Sequence, residues 1–253
     1  MTKINRMRYF LCSIIILIVF WQLIVAIGQY EEALFPGPFV VFQAIVELIL
    51  DGSLFIHLKD SMFRFTIGYL LAVFPAIIFG LMLGRSRKLW AVIDPVVQIL
   101  RPISPVAWSP FIVLWFGIGN MPAIVIIFIA AFFPILLTTV NGVRNIDVHY
   151  LKIAANLQFN KYDMMHKIIF PAALPAIVSG LHIALGTAWI FLVAGEMVGA
   201  QSGLGYLIVD ARNMLDLDIV FAGIVIIGVC GFLLDRLITF LEVVLKKHSG
   251  FLI

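Results

Sequence analysis

The sequence predicts an all-α, polytopic membrane protein with about six transmembrane helices. Three observations carry that expectation. The first is composition: 63% of the 253 residues are hydrophobic and 12% are charged, with a mean hydropathy of +1.12. A soluble core of this length needs far less apolar surface. The second is distribution, because long uncharged blocks alternate with short polar intervals. A bilayer core takes about 20 apolar residues per helix, which allows roughly five to seven spans here. What remains is too little for a separate soluble domain of ~100 residues. The third is the placing of basic residues in small clusters between the blocks. With a net charge of only +3, that is a membrane pattern and not a nucleic-acid footprint.

Taken in order, the first span is expected at 9–28, after Lys3, Arg6 and Arg8. A signal peptide begins similarly, but this run is longer than a usual signal core and no small-residue cleavage site follows it, so it is expected to stay uncleaved. The interval 29–61 holds Glu31, Glu32, Glu47, Asp51 and Asp60 against Lys59. Its PGPFVVFQAIVELIL run has helical periodicity but is too short to span, which suits a helix lying at the membrane surface. Further spans are expected at 65–84, 89–117, 121–140, 175–195 and 219–245, all in a single domain covering 1–253. A cytoplasmic segment at 144–170 separates the fourth span from the fifth.

An even number of spans places both termini on one side. With both ends inside, twelve basic residues fall in inner segments (Lys3, Arg6, Arg8, Arg85, Arg87, Lys88, Arg144, Lys152, Lys161, Lys167, Lys246, Lys247) and three in outer ones (Lys59, Arg64, Arg212). The positive-inside rule therefore expects cytoplasmic termini.

Covalent chemistry has no carrier among the motifs. There is no GxxxxGK[ST] phosphate loop, and no HExxH, GxSxG or Cys/His cluster. GLMLGRS at 80–86 has the wrong spacing for a phosphate loop; Gly80 and Gly84 read as a small-residue packing face. Cys12 and Cys230 lie in apolar runs and read as inert packing. Neither a metal nor any other cofactor is expected.

The third expected span carries the most informative polar residues. It contains Asp94, Arg101 and four prolines, Pro95, Pro102, Pro105 and Pro110. A broken helix survives in a bilayer where it is buried or lines a cavity. Arg101, Ser104, Trp108 and Ser109 are therefore candidates for a translocation pathway, the alternative for Arg101 being a snorkelling side chain at the inner interface. Glu196 needs a partner or water, so it is either the outer end of that pathway or an anchor bonded to a neighbouring helix. Asp235 and Arg236 read as a structural charge pair or interface residues. Gly199, Gly203 and Gly205 read as a tight loop at the outer rim.

The stretch 150–175, YLKIAANLQFNKYDMMHKIIFPAALP, is the long polar-basic interval of an otherwise apolar chain. YLKIAANL suits a short amphipathic helix, and Pro171 and Pro175 stand at the mouth of the next block. Such a helix at a membrane face is suited to pass movement from a soluble partner into the bilayer.

In order along the chain, LFPGPFVVFQA, SMFRFTIGYLLA, DPVVQILRPISPVAWSPFIVLWFGIGN, FFPILLTTVNGVRNID, PAALP, SGLHIALGTAWIFLVAGEM and GLGYLIVDAR resemble the permease subunits of bacterial ABC importers, in the nitrate/sulfonate/taurine/bicarbonate group. In that family a cytoplasmic Glu-Ala-Ala, three residues, Gly, nine residues, Ile-x-Leu-Pro motif forms the helix that docks on the ATPase. Aligned on Pro171, Lys152 stands at the Glu, Ile153 and Ala154 at the Ala pair, Gln158 at the Gly, and 168–171 at the Ile-x-Leu-Pro. Lys152 reverses a charge and Gln158 replaces a glycine.

The resemblance implies the type I importer permease fold, and ATPase coupling through Tyr150, Lys152, Ile153, Ala154, Ala155, Leu157, Gln158, Tyr162 and Pro171. It implies a homodimer in the bacterial inner membrane, two ATP-binding cassette subunits that hold ATP and Mg, and an extracytoplasmic substrate-binding protein. The expected cargo is a small anion such as a sulfonate, nitrate or bicarbonate. The alternatives are a neutral vitamin or pyrimidine precursor, or, in a different class, an ion-coupled secondary carrier using Asp94, Glu196 and Asp235. No inverted repeat favours the last of these.

Overall fold

A computed structural model of the chain describes residues 3–28, 34–149, 156 and 158–248. Every regular element among the described residues is helical: α1 (Lys3–Gly28), α2 (Pro38–Leu50), α3 (Ser53–Arg85), α4 (Arg87–Leu100), α5 (Ser109–Phe116), α6 (Asn120–Arg144), α7 (Lys161–Gly199), α8 (Leu204–Met214) and α9 (Leu217–His248). A 3₁₀ turn, Pro105–Trp108, precedes α5. Helices α1, α3, α6, α7 and α9 are each long and apolar enough to cross a membrane. The α4–α5 pair adds a sixth crossing if its two arms form one span. The short α2 buries Val41, Ala44 and Leu48.

The bundle is built around α6, which lies between α3 and α7 and is the most buried of the long helices. Small residues set these approaches. Gly68, Ala72, Ala76, Gly80 and Gly84 recur every fourth residue on one face of α3, and all are buried. A Cβ on Gly80 would come within 2.6 Å of Thr139 Cβ, and one on Gly84 equally close to Val143 Cβ. With no hydrophobic drive between helices in lipid, such close van der Waals contact is what holds them. Gly142 meets Ala173 and Ala176 of α7 in the same way. The packing face expected at Gly80 and Gly84 is present and runs the length of the crossing.

Several expected boundaries move. Helix α3 begins at Ser53, not near 65, because Asp51 Oδ1 accepts from Ser53 N (2.8 Å) and Ser53 Oγ (2.7 Å) and so starts the helix early. These two hydrogen bonds hold the Asp51 carboxyl below its ordinary range. Arg64 therefore lies inside a membrane helix and leaves the outer-loop tally. The expected third span is two arms bent by 83°. Pro102 and Pro105 lack N–H donors, and Ser104, held before Pro105, takes φ −57°, ψ 131° in place of helical angles.

The fifth helix starts at Lys161, not 175, so Pro171 and Pro175 lie inside α7. Residues 164–169 adopt a π-helical turn directly before the amide that Pro171 lacks. Of the two readings of Asp235 and Arg236, the geometry favours the interface one: Asp235 Oδ1 meets His182 Nε2 of α7 at 2.9 Å, while the Arg236 guanidinium lies over Phe232, 4.9 Å from its centroid. Successive residues on a helix point about 100° apart, which favours the cross-helix partner.

Candidate functional site: a polar track and a buried ion pair

Proline placement and helical periodicity create a polar track on one side of the bundle. On α4 and its C-terminal cap, Asp94, Gln98 and Arg101 share a face at spacings of four and three. On α6, Thr138, Asn141 and Asn145 do the same, and α7 adds Ser179 and Thr187. Asp94, Gln98, Arg101, Thr138, Asn141 and Thr187 line one cleft of about 510 Å³. A second, of about 370 Å³, shares Arg101 and Thr187 and adds Ser104. A third, of about 470 Å³, continues from Thr138 and Asn141 to Asn145 and Ser179.

The track is polar without being self-satisfied. Gln98 Nε2 donates to Asp94 Oδ1 at 3.2 Å. Arg101 is exposed, with no carboxylate at ion-pair distance among the described residues. Pro134 in α6 leaves the Ala130 carbonyl without its helical donor; Thr187 Oγ1 of α7 lies 3.4 Å from it. Of the residues singled out in the sequence, Arg101 and Ser104 sit on the track. Trp108 is half-buried in the 3₁₀ turn, and Ser109 is buried at the start of α5.

Glu196 lies elsewhere, at the far end of α7. It is buried, and Arg64 Nη1 bonds its Oε1 at 2.7 Å. Ser61 Oγ donates to the carboxylate at 2.8 Å, and Gly205 N donates to Oε2 at 2.9 Å. Arg64 also donates to Ser202 O (2.7 Å), Ser202 Oγ (2.6 Å) and Asn120 Oδ1 (2.8 Å). The Leu204 amide donates to Ser61 Oγ at 2.8 Å. One network thus joins α3, α6, α7, α8 and the turn before α8. A charge removed from water is tolerated only with this degree of pairing. Of the two readings of Glu196, the geometry favours the anchor.

Gly203, at φ +104°, and Gly205 let the turn close over these side chains; a Cβ on either would occupy the space of Glu196. Sequence reasoning missed Arg64 and Ser61 as site residues. The available signal was SMFR, a hydroxyl and a cation three residues apart on one helix face.

In the cytoplasmic stretch, Tyr150, Lys152, Ile153, Ala154, Ala155 and Leu157 lie outside the described residues. Gln158 has φ +55°, a left-handed conformation at the position where the family motif carries glycine. Asn160 Oδ1 accepts from Asp163 N at 2.7 Å and caps α7. Tyr162 is exposed and its ring packs on His166, centroids 4.1 Å apart. Pro171 is half-buried.

Residues 76–246 match the family described as the binding-protein-dependent transport system inner membrane component. The chain belongs to that family. It is a multi-pass permease subunit of an ABC importer, and its similarities fall in the sulfonate, taurine and nitrate group. It is 38% identical to the putative aliphatic sulfonates transport permease protein SsuC of Bacillus subtilis, over 92% of this chain and 84% of that one. It is 37% identical to the nitrate import permease protein NrtB of Synechococcus elongatus, over 93% and 90%. It is 31% identical to the taurine transport system permease protein TauC of Escherichia coli, over 88% and 83%. These relatives are described as permeases, not as enzymes. The permease also superposes on a structure described as inward facing conformations of the MetNI methionine ABC transporter. There the TM-score is 0.55 at 22% identity, covering 72% of this chain and 93% of that one. That likeness carries the fold.

Proposed function

We propose that the permease forms one half of the translocation pathway for a small anion, a sulfonate, nitrate or bicarbonate being the cargo class that its relatives' names support. The observation that carries this reading is the polar track on α4, α6 and α7, with Arg101 as its one cation without a carboxylate partner among the described residues. The clefts are open and not enclosed, so a second copy of the chain across a two-fold axis would complete the pathway. Arg101 and Ser104 are its contact residues. Trp108 and Ser109 position the bend, and Glu196 anchors the end of α7.

Movement comes from outside the chain. Two ATP-binding subunits, holding ATP and Mg, dock on the segment 144–170, and an extracytoplasmic binding protein delivers the solute. The permease itself carries no cofactor and no catalytic residue. The end bearing Arg85, Arg87, Arg144 and that segment faces the cytoplasm, with both termini on the same side of a bacterial inner membrane. The break at 101–104 lets α4 and α5 change their angle as the two copies close and open.

The test is coexpression with a cognate ATP-binding subunit, followed by ATPase assays of the purified complex. Co-purification with the native chain and uncoupling by Ala154→Asp support the reading. If no ATPase binds the native chain, the ion-coupled carrier takes its place.

A further inference from the structure

One further cleft is not part of the polar track. It measures about 640 Å³ and lies where three helices end or begin. Arg85 closes α3, Arg87 opens α4 and Arg144 closes α6; all three line it, beside an apolar floor of Ile146, Val148 and Met164. No carboxylate lies within ion-pair distance of any of them among the described residues. Asp147, close in sequence, accepts from its own local amide, His149 N, at 2.8 Å. Arg144 lies over the Trp90 ring, 5.9 Å from its centroid, which fixes one wall.

The positive-inside rule accounts for the sign of these residues but not for their convergence from three helices on one cleft. Three exposed guanidiniums without acidic partners converge on one cleft and would favour an anion there, and their planar donor forks suit the paired oxygens of a phosphate. Their depth narrows the source. Each stands where an apolar helix stops, which is the headgroup level of a bilayer, and the floor beneath is apolar. A free phosphate has no use for that floor; a phospholipid does.

We infer that the Arg85–Arg87–Arg144 cleft is a binding site for the phosphate headgroup of an anionic phospholipid, seated with its glycerol and upper acyl carbons on Ile146, Val148 and Met164. The site does not depend on the proposed cargo.

The test is native mass spectrometry of the full-length permease, released from bilayers of phosphatidylglycerol mixed with phosphatidylcholine. The native chain should retain phosphatidylglycerol in preference to phosphatidylcholine. Each of Arg85→Ala, Arg87→Ala and Arg144→Ala should weaken that retention about fivefold, and Arg85→Lys should keep part of it. Melting temperatures in phosphatidylcholine alone check folding, and Arg85→Ala leaves the Arg144–Trp90 contact in place. Equal retention of the two lipids by the native chain overturns the inference, as does retention unchanged in all three alanine variants. Inorganic phosphate that displaces phosphatidylglycerol at equal concentration also overturns it, in favour of a free-anion site.

Discussion

Arg64 and Glu196, 132 residues apart in sequence, meet at 2.7 Å with side chains 2% and 0% exposed. Removing one partner strands the other charge inside the bundle. Glu196→Ala and Arg64→Ala should each destabilise by roughly 3–5 kcal/mol, read as a lower melting temperature in detergent. Arg64→Met with Glu196→Leu should recover a large share of that loss. Equal melting of the Glu196→Ala and native proteins would refute the anchor.

Gly203→Ala should weaken the same network from the backbone side, because its φ of +104° disfavours a side chain and Glu196 occupies the space a Cβ would take. Trypsin cleavage at Arg212 should then become faster than in the native chain.

The small-residue stripe makes a paired prediction. Gly80→Val forces a branched side chain onto Thr139 and should cost about 1–3 kcal/mol by overpacking. Gly186→Ala on α7, where nothing lies within 4 Å of the added Cβ, should melt no lower than the native protein. The comparison separates close packing from glycine content.

Gln158 holds a left-handed backbone. Gln158→Gly should relieve about 1 kcal/mol of strain and raise coupled ATPase activity in the assembled complex. An activity below native would mean that the Gln158 side chain itself makes the coupling contact.

Arg101→Ala should leave the melting temperature unchanged, since the side chain is exposed, while lowering anion uptake by roughly tenfold, about 1.4 kcal/mol. Arg101→Lys should retain part of the uptake. A melting temperature that falls with Arg101→Ala would assign the residue to packing.

What was legible in the sequence is what is local. Apolar block length located the long helices, the proline cluster at 102–110 marked the broken arm, and Gly80 and Gly84 marked a packed face. Glu196 was legible as a costly carboxylate, yet its partner was not, because the pairing depends on how α3 and α7 pass each other. Arg64 was hidden for a related reason. A cation flanked by Lys59 and Asp60 looks like a loop, and only the hydrogen bonds starting α3 at Ser53 draw it inside. For Asp235 a pair with adjacent Arg236 and a place at a helix interface were both open, and helical geometry opposes the pair. The polar track combines residues whose spacing on each helix was readable, but the side-by-side alignment of α4, α6 and α7 is a property of the packed bundle.

The α3–α6 seam has a mechanical consequence. Along 68–84 the small residues of α3 let side chains of α6, Ile127, Thr139 and Val143 among them, close against its backbone, which opposes relative sliding. At one end α6 runs into the segment before α7; at the other, Asn120 accepts from Arg64 Nε. A pair packed this closely would carry a displacement applied beside Arg144 as one body toward the network that holds Glu196 at the opposite end of the molecule.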